Sequence, residues 1–166
     1  CSVGLVTMDR FALGRMSCNP AIGGTAKGHL VREIDALGGN MGLISDRTGI
    51  QFRMLNKSKG PAVWSPRCQS DRKLYSEEAY RIISPTPNLE IVEESAVKVI
   101  TENGKVAGIK TKSGEEIFCK ALILSSGTFL NGLMHTGLNK TSGGRFGEQS
   151  ALGITESLAK LGFEYG

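Results

Sequence analysis

A thiol, a side-chain amide and two adjacent glycines come together in Ser17-Cys18-Asn19-Pro20-Ala21-Ile22-Gly23-Gly24-Thr25, directly before a stretch with helical spacing of apolar residues. Backbone N–H groups at a helix start face outward and the helix dipole favours negative charge, so a phosphate or an electron-rich ring edge can rest there. Cys18 is the one thiol of this loop. A thiol beside a helix N-terminus or an ammonium such as that of Lys27 is readily deprotonated, and a thiolate can add to C6 of a uridine and so activate C5. The competing reading is a tight turn carrying a small, packed cysteine, which is the commoner meaning of both features.

Basic residues concentrate further on. Arg53, Lys57, Lys59, Arg67 and Arg72, with Phe52 and Trp64 interleaved, could hold the phosphates of RNA or of a cofactor and stack a base. Solvated surface charge explains the same residues equally well. Ser126-Gly127-Thr128 would let a dinucleotide approach the backbone closely, and the strand around Ser95-Ala96-Val97 could pair its main chain with an adenine edge. His29 and His135 have no partner at metal or triad spacing, and Cys1, Cys18, Cys68 and Cys119 form no Cys-x-x-Cys pair, so neither zinc nor a disulfide framework is indicated.

The elements that must position these residues follow from periodicity. Val3 to Thr7 reads as a short buried strand that has lost its predecessor, which suggests a missing N-terminal segment. Ala26 to Leu37 reads as a helix with Leu30, Val31, Ile34 and Leu37 on its apolar stripe, Thr25 as N-cap and Gly38-Gly39 at its end. Residues 40 to 72, rich in Gly, Pro, Lys and Arg, read as irregular, with Lys57 to Pro61 an exposed loop. Ser70 through Ile83 is helical until Pro85 and Pro87 stop it.

Leu89 to Ile100, Val106 to Thr111 and Glu115 to Phe118 are extended segments separated by Glu102-Asn103-Gly104-Lys105 and Lys112-Ser113-Gly114, which predicts an antiparallel meander. Ala121 to Leu124 reads as a buried parallel strand opening into the Ser126-Gly127-Thr128 loop. Gly137 to Gly147 reads as a Gly-rich loop and Ser150 to Leu161 as a closing helix. The order of strand, helix, helix, meander, strand and helix predicts an α/β nucleotide-binding half interrupted by a β-meander at about 88–120.

Composition is that of a globular protein: 166 residues, 40% hydrophobic and 22% charged, with a formal net charge of +4. No apolar run approaches the ~20 residues of a membrane span, and the first residues lack a signal-peptide pattern, so a cytoplasmic protein is expected. A charge of +4 does not by itself indicate nucleic-acid binding.

Three runs carry a resemblance. Cys18 to Gly24, Lys27 to Gly39 and Gly49 to Val63 are similar to the signatures of the MnmG (GidA) family, and the similarity continues through Gln69, Asp71-Arg72, Tyr75, Gly127-Thr128-Phe129-Leu130 and Ser142-Gly143-Gly144-Arg145. The resemblance implies an α/β fold, a partial Rossmann-like FAD-binding domain of the glutathione-reductase type with an inserted loop and helix region at about 40–87 and an antiparallel β-meander at about 88–120. It implies an FAD-dependent enzyme that adds a carboxymethylaminomethyl or aminomethyl group at C5 of the tRNA wobble uridine. It implies NADH as reductant, methylenetetrahydrofolate as carbon donor, glycine or ammonium as nitrogen donor, the GTPase MnmE as partner and a homodimer.

Residue by residue, Cys18 matches a cysteine the family needs for catalysis, and Asn19, Ala21, Gly23, Gly24 and Thr25 match its flavin-facing loop. Ala96 matches the adenine-contacting strand position, Gly127 and Thr128 the close-approach loop, and Ala151 another FAD contact. Arg53, Lys57, Lys59, Arg67 and Arg72 become a tRNA or folate surface. The family's N-terminal Gly-x-Gly-x-x-Gly unit, its second cysteine motif, its NADH region and its C-terminal domain are not in these residues, so the isolated chain is expected to be inactive and to bind FAD weakly or not at all. The rival readings are a folate- and FAD-dependent tRNA uridine methyltransferase and a non-catalytic RNA-binding module.

Overall fold

The apolar residues of the first half gather around Ile22, Ile44, Tyr75 and Ala79, with Met16, Val31, Met41 and Ile82 packed against them. Apart from Met16, which lies in a loop, these positions lie on four elements of a computed structural model that describes residues 1–165. The chain divides into two units, one of residues 1–5 and 9–91, the other of residues 6–8 and those from Val92 onward.

The first unit holds β2 (Ala21–Gly23), α1 (Lys27–Ala36), α2 (Met41–Thr48), β3 (Gly49–Leu55), β4 (Ser65–Ser70) and α3 (Arg72–Ile83), preceded by β1 (Val3–Thr7). β4 lies between β2 and β3, antiparallel to both. α3 starts two residues later than Ser70, the Asp71 carboxylate capping it by accepting from the Leu74 N–H at 2.8 Å. Burial of Tyr75 in the core pushes its phenol up from the usual value.

Helix α1 corrects two expectations. Its N-cap is Ala26, not Thr25, and no side chain caps it. Only Val31 of the stripe packs on the core, while Leu30, Ile34 and Leu37 are exposed. The end is as read: Gly38, at φ +84°, lets its own N–H reach the Asp35 carbonyl and that of Gly39 the Ile34 carbonyl, the paired bonds of a Schellman cap.

Residues 40 to 72 are not irregular, since they form α2, β3 and β4. Only the exposed basic loop is as expected, two 3₁₀ turns at Lys57–Lys59 and Pro61–Val63. The strands were hidden because Pro66 sits inside β4. It is tolerated there because β2 pairs with β4 only at Arg67, Cys68 and Gln69, so Pro66 lies past the end of the shorter strand.

β5 (Leu89–Glu93) pairs with β1, the Val3 N–H donating to the Asn88 carbonyl and the Glu94 N–H to that of Thr7, so the two run parallel. β1 has the predicted bounds but is not buried, its first three residues being exposed or half-exposed. The extended run from Leu89 to Ile100 is therefore two strands, broken at Glu94 and Ser95.

The second unit contains the meander β6 (Ala96–Glu102), β7 (Lys105–Thr111) and β8 (Glu116–Phe118), all antiparallel. Asn103 and Gly104, both at positive φ, make the two-residue turn that this sequence favours. The hairpin β9 (Leu133–Thr136) and β10 (Asn139–Ser142) occupies part of the stretch read as a Gly-rich loop. Helix α4 (Ile154–Lys160) is shorter than expected, because Ala151 is held in a parallel bridge to Leu130 and Gly153 stands at φ +98°. The Ser157 hydroxyl of α4 accepts the Val99 N–H at 2.9 Å, satisfying a donor on the edge strand β6.

Ala121 to Leu124 is not a strand: among the described residues nothing pairs with it, and Ile123 remains 88% exposed. An apolar run of this kind becomes a parallel strand only when neighbours satisfy its backbone on both sides.

One pH effect arises in the first unit. Hydrogen bonds from Arg81 and then Arg47 hold the Glu78 carboxyl at about 2, below its usual 4.5. A carboxylate depressed on folding stabilises above its unfolded pKa, and that contribution is lost as pH falls from about 4.5 to about 2. Melting curves of wild type and Glu78→Gln should therefore differ at pH 6 and converge toward pH 2; a difference independent of pH would contradict the assignment. Because both arginines are more than half exposed, the effect is small and screened by salt.

Candidate functional site

The Cys18 loop is fastened to β4 along its length. The Pro20 carbonyl accepts the Ser70 N–H at 2.8 Å, and the Gly24 N–H donates to the Pro66 carbonyl at 3.0 Å. Arg67 Nη2 donates to Asn19 Oδ1 at 3.3 Å and to Gln69 Oε1 at 2.9 Å. Cys18, one residue before the first of these ties, is exposed. Lys27 Nζ donates to the Ala21 carbonyl at 3.0 Å, so its ammonium braces the loop.

The loop residues fall into different roles. Ala21 is buried, and Gly23 packs so closely that a Cβ would lie 2.1 Å from the Pro66 carbonyl oxygen. Gly24 is also left-handed, at φ +95°, but open space surrounds the place of its missing side chain. Thr25 is exposed beside it. The local fold accounts for Gly23; at Gly24 no side chain blocks approach, while its N–H is given to the Pro66 carbonyl and its carbonyl accepts the Gly28 N–H.

A cavity of about 390 Å³ adjoins this loop, between α1, α2 and the β3–β4 hairpin. Gly23 lines it, as do Phe52, Arg53 and Arg67. Arg53 and Arg67 stand directly opposite each other in the ladder. Like charges so placed repel, a cost that an anion between them would remove. Of the other basic residues, Lys57 and Lys59 lie on the exposed 3₁₀ turn and Arg72 in the first turn of α3, none of them at the cavity. Trp64 is fixed by its Nε1 donating to the Lys57 carbonyl at 3.3 Å.

Two further cavity residues escaped the sequence reading: Arg32 on α1 and Asp46 on α2. Arg32 lies four residues after the buried Gly28, a helical spacing that signals a shared face; Asp46 had no such signal because its helix was not foreseen.

In the second unit, Ala96 opens β6 opposite Thr111, and the neighbouring Ser95 carbonyl accepts the Lys112 N–H at 2.8 Å. Gly127 is exposed at φ +56° with nothing close to its missing Cβ. The Thr128 hydroxyl is taken by the Gly144 carbonyl at 3.0 Å. Both backbone groups of Ala151 are taken by Phe129 and Asn131. Arg145 lies over the Phe129 ring at 5.0 Å, and Gly144 admits that ring, since a Cβ would be 2.4 Å from it. Phe129, Gly144 and Arg145 thus hold this segment together. Cys68 is buried, its Sγ 3.4 Å from the Ser45 carbonyl, as expected of a structural thiol. Among the described residues no three His, Cys, Asp or Glu gather as a metal site, and no helix is long and apolar enough to cross a membrane.

A mixed α/β chain with an exposed thiol on a glycine loop and an antiparallel meander is the class of protein these features define. The family model described as "Glucose inhibited division protein A" matches residues 1–166, and the chain belongs to that family. It is 58% identical over 162 residues, 98% of its length, to a tRNA uridine 5-carboxymethylaminomethyl modification enzyme MnmG of Flavobacterium johnsoniae. It is 57% identical over its whole length to the protein of the same name from Flavobacterium psychrophilum.

Among solved structures, GidA of Aquifex aeolicus aligns with a TM-score of 0.92 at 45% identity, covering 97% of this chain and 27% of that one. A GidA-related protein of Thermus thermophilus shares the fold, with a TM-score of 0.61 at 18% identity. The chain spans about a quarter of the length of the MnmG relatives, 26% and 27% for the two Flavobacterium proteins.

Proposed function

We propose that the protein acts as part of a flavin-dependent enzyme that adds a carboxymethylaminomethyl group at C5 of the tRNA wobble uridine, with Cys18 as its nucleophile. The observation carrying this reading is an exposed thiol on a loop fastened to β4, in a chain 58% identical to a relative named for that modification.

The Cys18 thiolate adds to uridine C6, forming an S–C6 bond while the C5=C6 electron pair moves toward the C4 carbonyl. C5, now electron-rich, attacks the methylene carbon of an iminium formed from the one-carbon donor and the amine of glycine, the C=N electron pair passing to nitrogen. Loss of the C5 proton then expels the thiolate and restores the double bond. Fastening the loop to β4 limits how far Sγ can wander before attack.

Gly24 in the first unit and Gly127 in the second each leave room for a close approach of FAD, with no Cβ in the way. Asn19, Ala21, Gly23, Thr25, Ala96, Thr128 and Ala151 lie in the segments proposed to hold it, where the buried Ala21, the packed Gly23 and the internally bonded Thr128 and Ala151 shape the backbone. When bound, FAD supplies redox chemistry, with NADH as electron donor and methylenetetrahydrofolate as carbon source. Arg53, Lys57, Lys59, Arg67 and Arg72 supply positive charge toward tRNA or folate. The intact enzyme works in the cytoplasm as a homodimer with the GTPase MnmE.

Titration of FAD, followed by flavin absorbance and fluorescence, tests the cofactor assignment. The intact protein should bind FAD and residues 1–166 alone at least about tenfold more weakly, since a pyrophosphate-binding turn contributes a large share of dinucleotide affinity. An intact protein with no flavin affinity would overturn the reading.

A further inference from the structure

The cavity beside the Cys18 loop joins apolar walls to a particular set of charges. Ile22, Val31, Phe52 and Met54 supply apolar surface, enough for a flat ring. Its volume of about 390 Å³ lies within the range of small-ligand sites, roughly 300 to 1,000 Å³. Arg53 and Arg67 face each other on the sheet wall, whereas Arg32 and Asp46 come from the helical walls. Arg67 is engaged with Asn19 and Gln69, while Arg32, Arg53 and Asp46 have no hydrogen-bond or ion-pair partner among the described residues. All three side chains are exposed at the rim of this open cavity, so their hydrogen-bonding groups are available to a ligand in place of water.

A simple anion site would need neither the apolar walls nor the carboxylate. A uracil ring needs all three features: its N3–H is a donor that a carboxylate accepts, its flanking O2 and O4 are acceptors for a guanidinium, and its faces are apolar enough to stack on an aromatic ring. A 5′-phosphate would lie between Arg53 and Arg67 and relieve their mutual repulsion.

We propose that this cavity binds a uridine 5′-phosphate unit, with Arg53 and Arg67 on the phosphate and Asp46 accepting from uracil N3–H. The proposal rests on the tRNA-modifying reading and names where that substrate's nucleotide is held. Arg67 links the cavity to the residue next to Cys18, through Asn19, so a nucleotide here would sit against the loop that carries the thiol.

The test is isothermal titration of the intact protein with UMP, CMP, uridine and inorganic phosphate. UMP should bind at least about tenfold more tightly than uridine, one charge-assisted phosphate contact being enough for that difference. It should also bind more tightly than CMP, whose ring nitrogen is an acceptor and meets the Asp46 carboxylate unfavourably. Arg53→Gln should cost about tenfold for UMP and much less for uridine, with Arg53→Lys restoring part of the loss. Asp46→Asn should remove the preference for UMP over CMP while leaving the melting temperature near wild type, as expected for an exposed side chain.

Equal affinity for UMP and inorganic phosphate would overturn the proposal, as would UMP binding unchanged by Arg53→Gln or a preference that survives Asp46→Asn. Those results would leave the tRNA-modification reading intact, since that stands on modification of tRNA and not on mononucleotide affinity.

Discussion

Gly23→Ala is expected to destabilise the first unit by about 3 kcal/mol or more, from a left-handed backbone unsuited to a side chain and a severe overlap. The added methyl would lie 2.1 Å from the Pro66 carbonyl oxygen and 2.8 Å from the Arg67 Cα, and both belong to backbone that cannot swing aside. At φ +115° the residue is also strained for any L side chain. Relief would require β2 to separate from β4, and with it the bonds that fasten the Cys18 loop. Gly24→Ala isolates the first effect, because Gly24 stands at φ +95° with open space around its missing Cβ. It should cost about 1–2 kcal/mol. Urea unfolding of the two variants measures the difference; equal losses would contradict the packing assigned to Gly23.

Cys18→Ser is expected to lower tRNA modification by at least about a thousandfold while leaving FAD binding and stability near wild type. A serine hydroxyl is far less readily ionised than a thiol, so nucleophilic addition to uridine C6 would almost stop. Cys18 is exposed and packs into no core, so little stability is at stake. Cys68→Ser is the matched comparison, since Cys68 is buried against the Ser45 carbonyl. That variant should lose stability and retain chemistry once folded. Unchanged turnover in Cys18→Ser, measured as modified nucleoside formed per minute, would refute its catalytic role.

Elements whose residues agree locally were legible from sequence. α3 has a helical run with prolines beyond its end, and it forms over all but the first two residues of the span read. The meander β6 to β8 announces itself through Asn103-Gly104 and Ser113-Gly114 between β-branched runs. The failures came where pairing across the fold decides the structure. β4 contains Ser65, Pro66, Gln69 and Ser70, poor strand formers, and is held by partners on both sides. Conversely, Ala121 to Leu124 has strand composition and no neighbour, so it stays unpaired. Propensity is a property of a segment, whereas a ladder is a property of two.

The site divides in the same way. The turn around Gly23 and Gly24 could be read from the loop, because positive φ restricts residue types over a short span. The cavity could not, since Arg53 and Arg67 are 14 positions apart in sequence and meet only through strand register. Arg72 and the two lysines, grouped with them by sequence proximity, lie elsewhere in the fold. The register separates residues that the linear charge cluster had joined, and it brings in Arg32 and Asp46.

The most direct test of the central claim is nucleoside mass spectrometry of tRNA from cells in which the gene for this protein has been deleted, compared with the same strain carrying it on a plasmid. The account predicts that 5-carboxymethylaminomethyluridine disappears on deletion and returns with the intact gene; its persistence at the wild-type level without the gene would contradict the account.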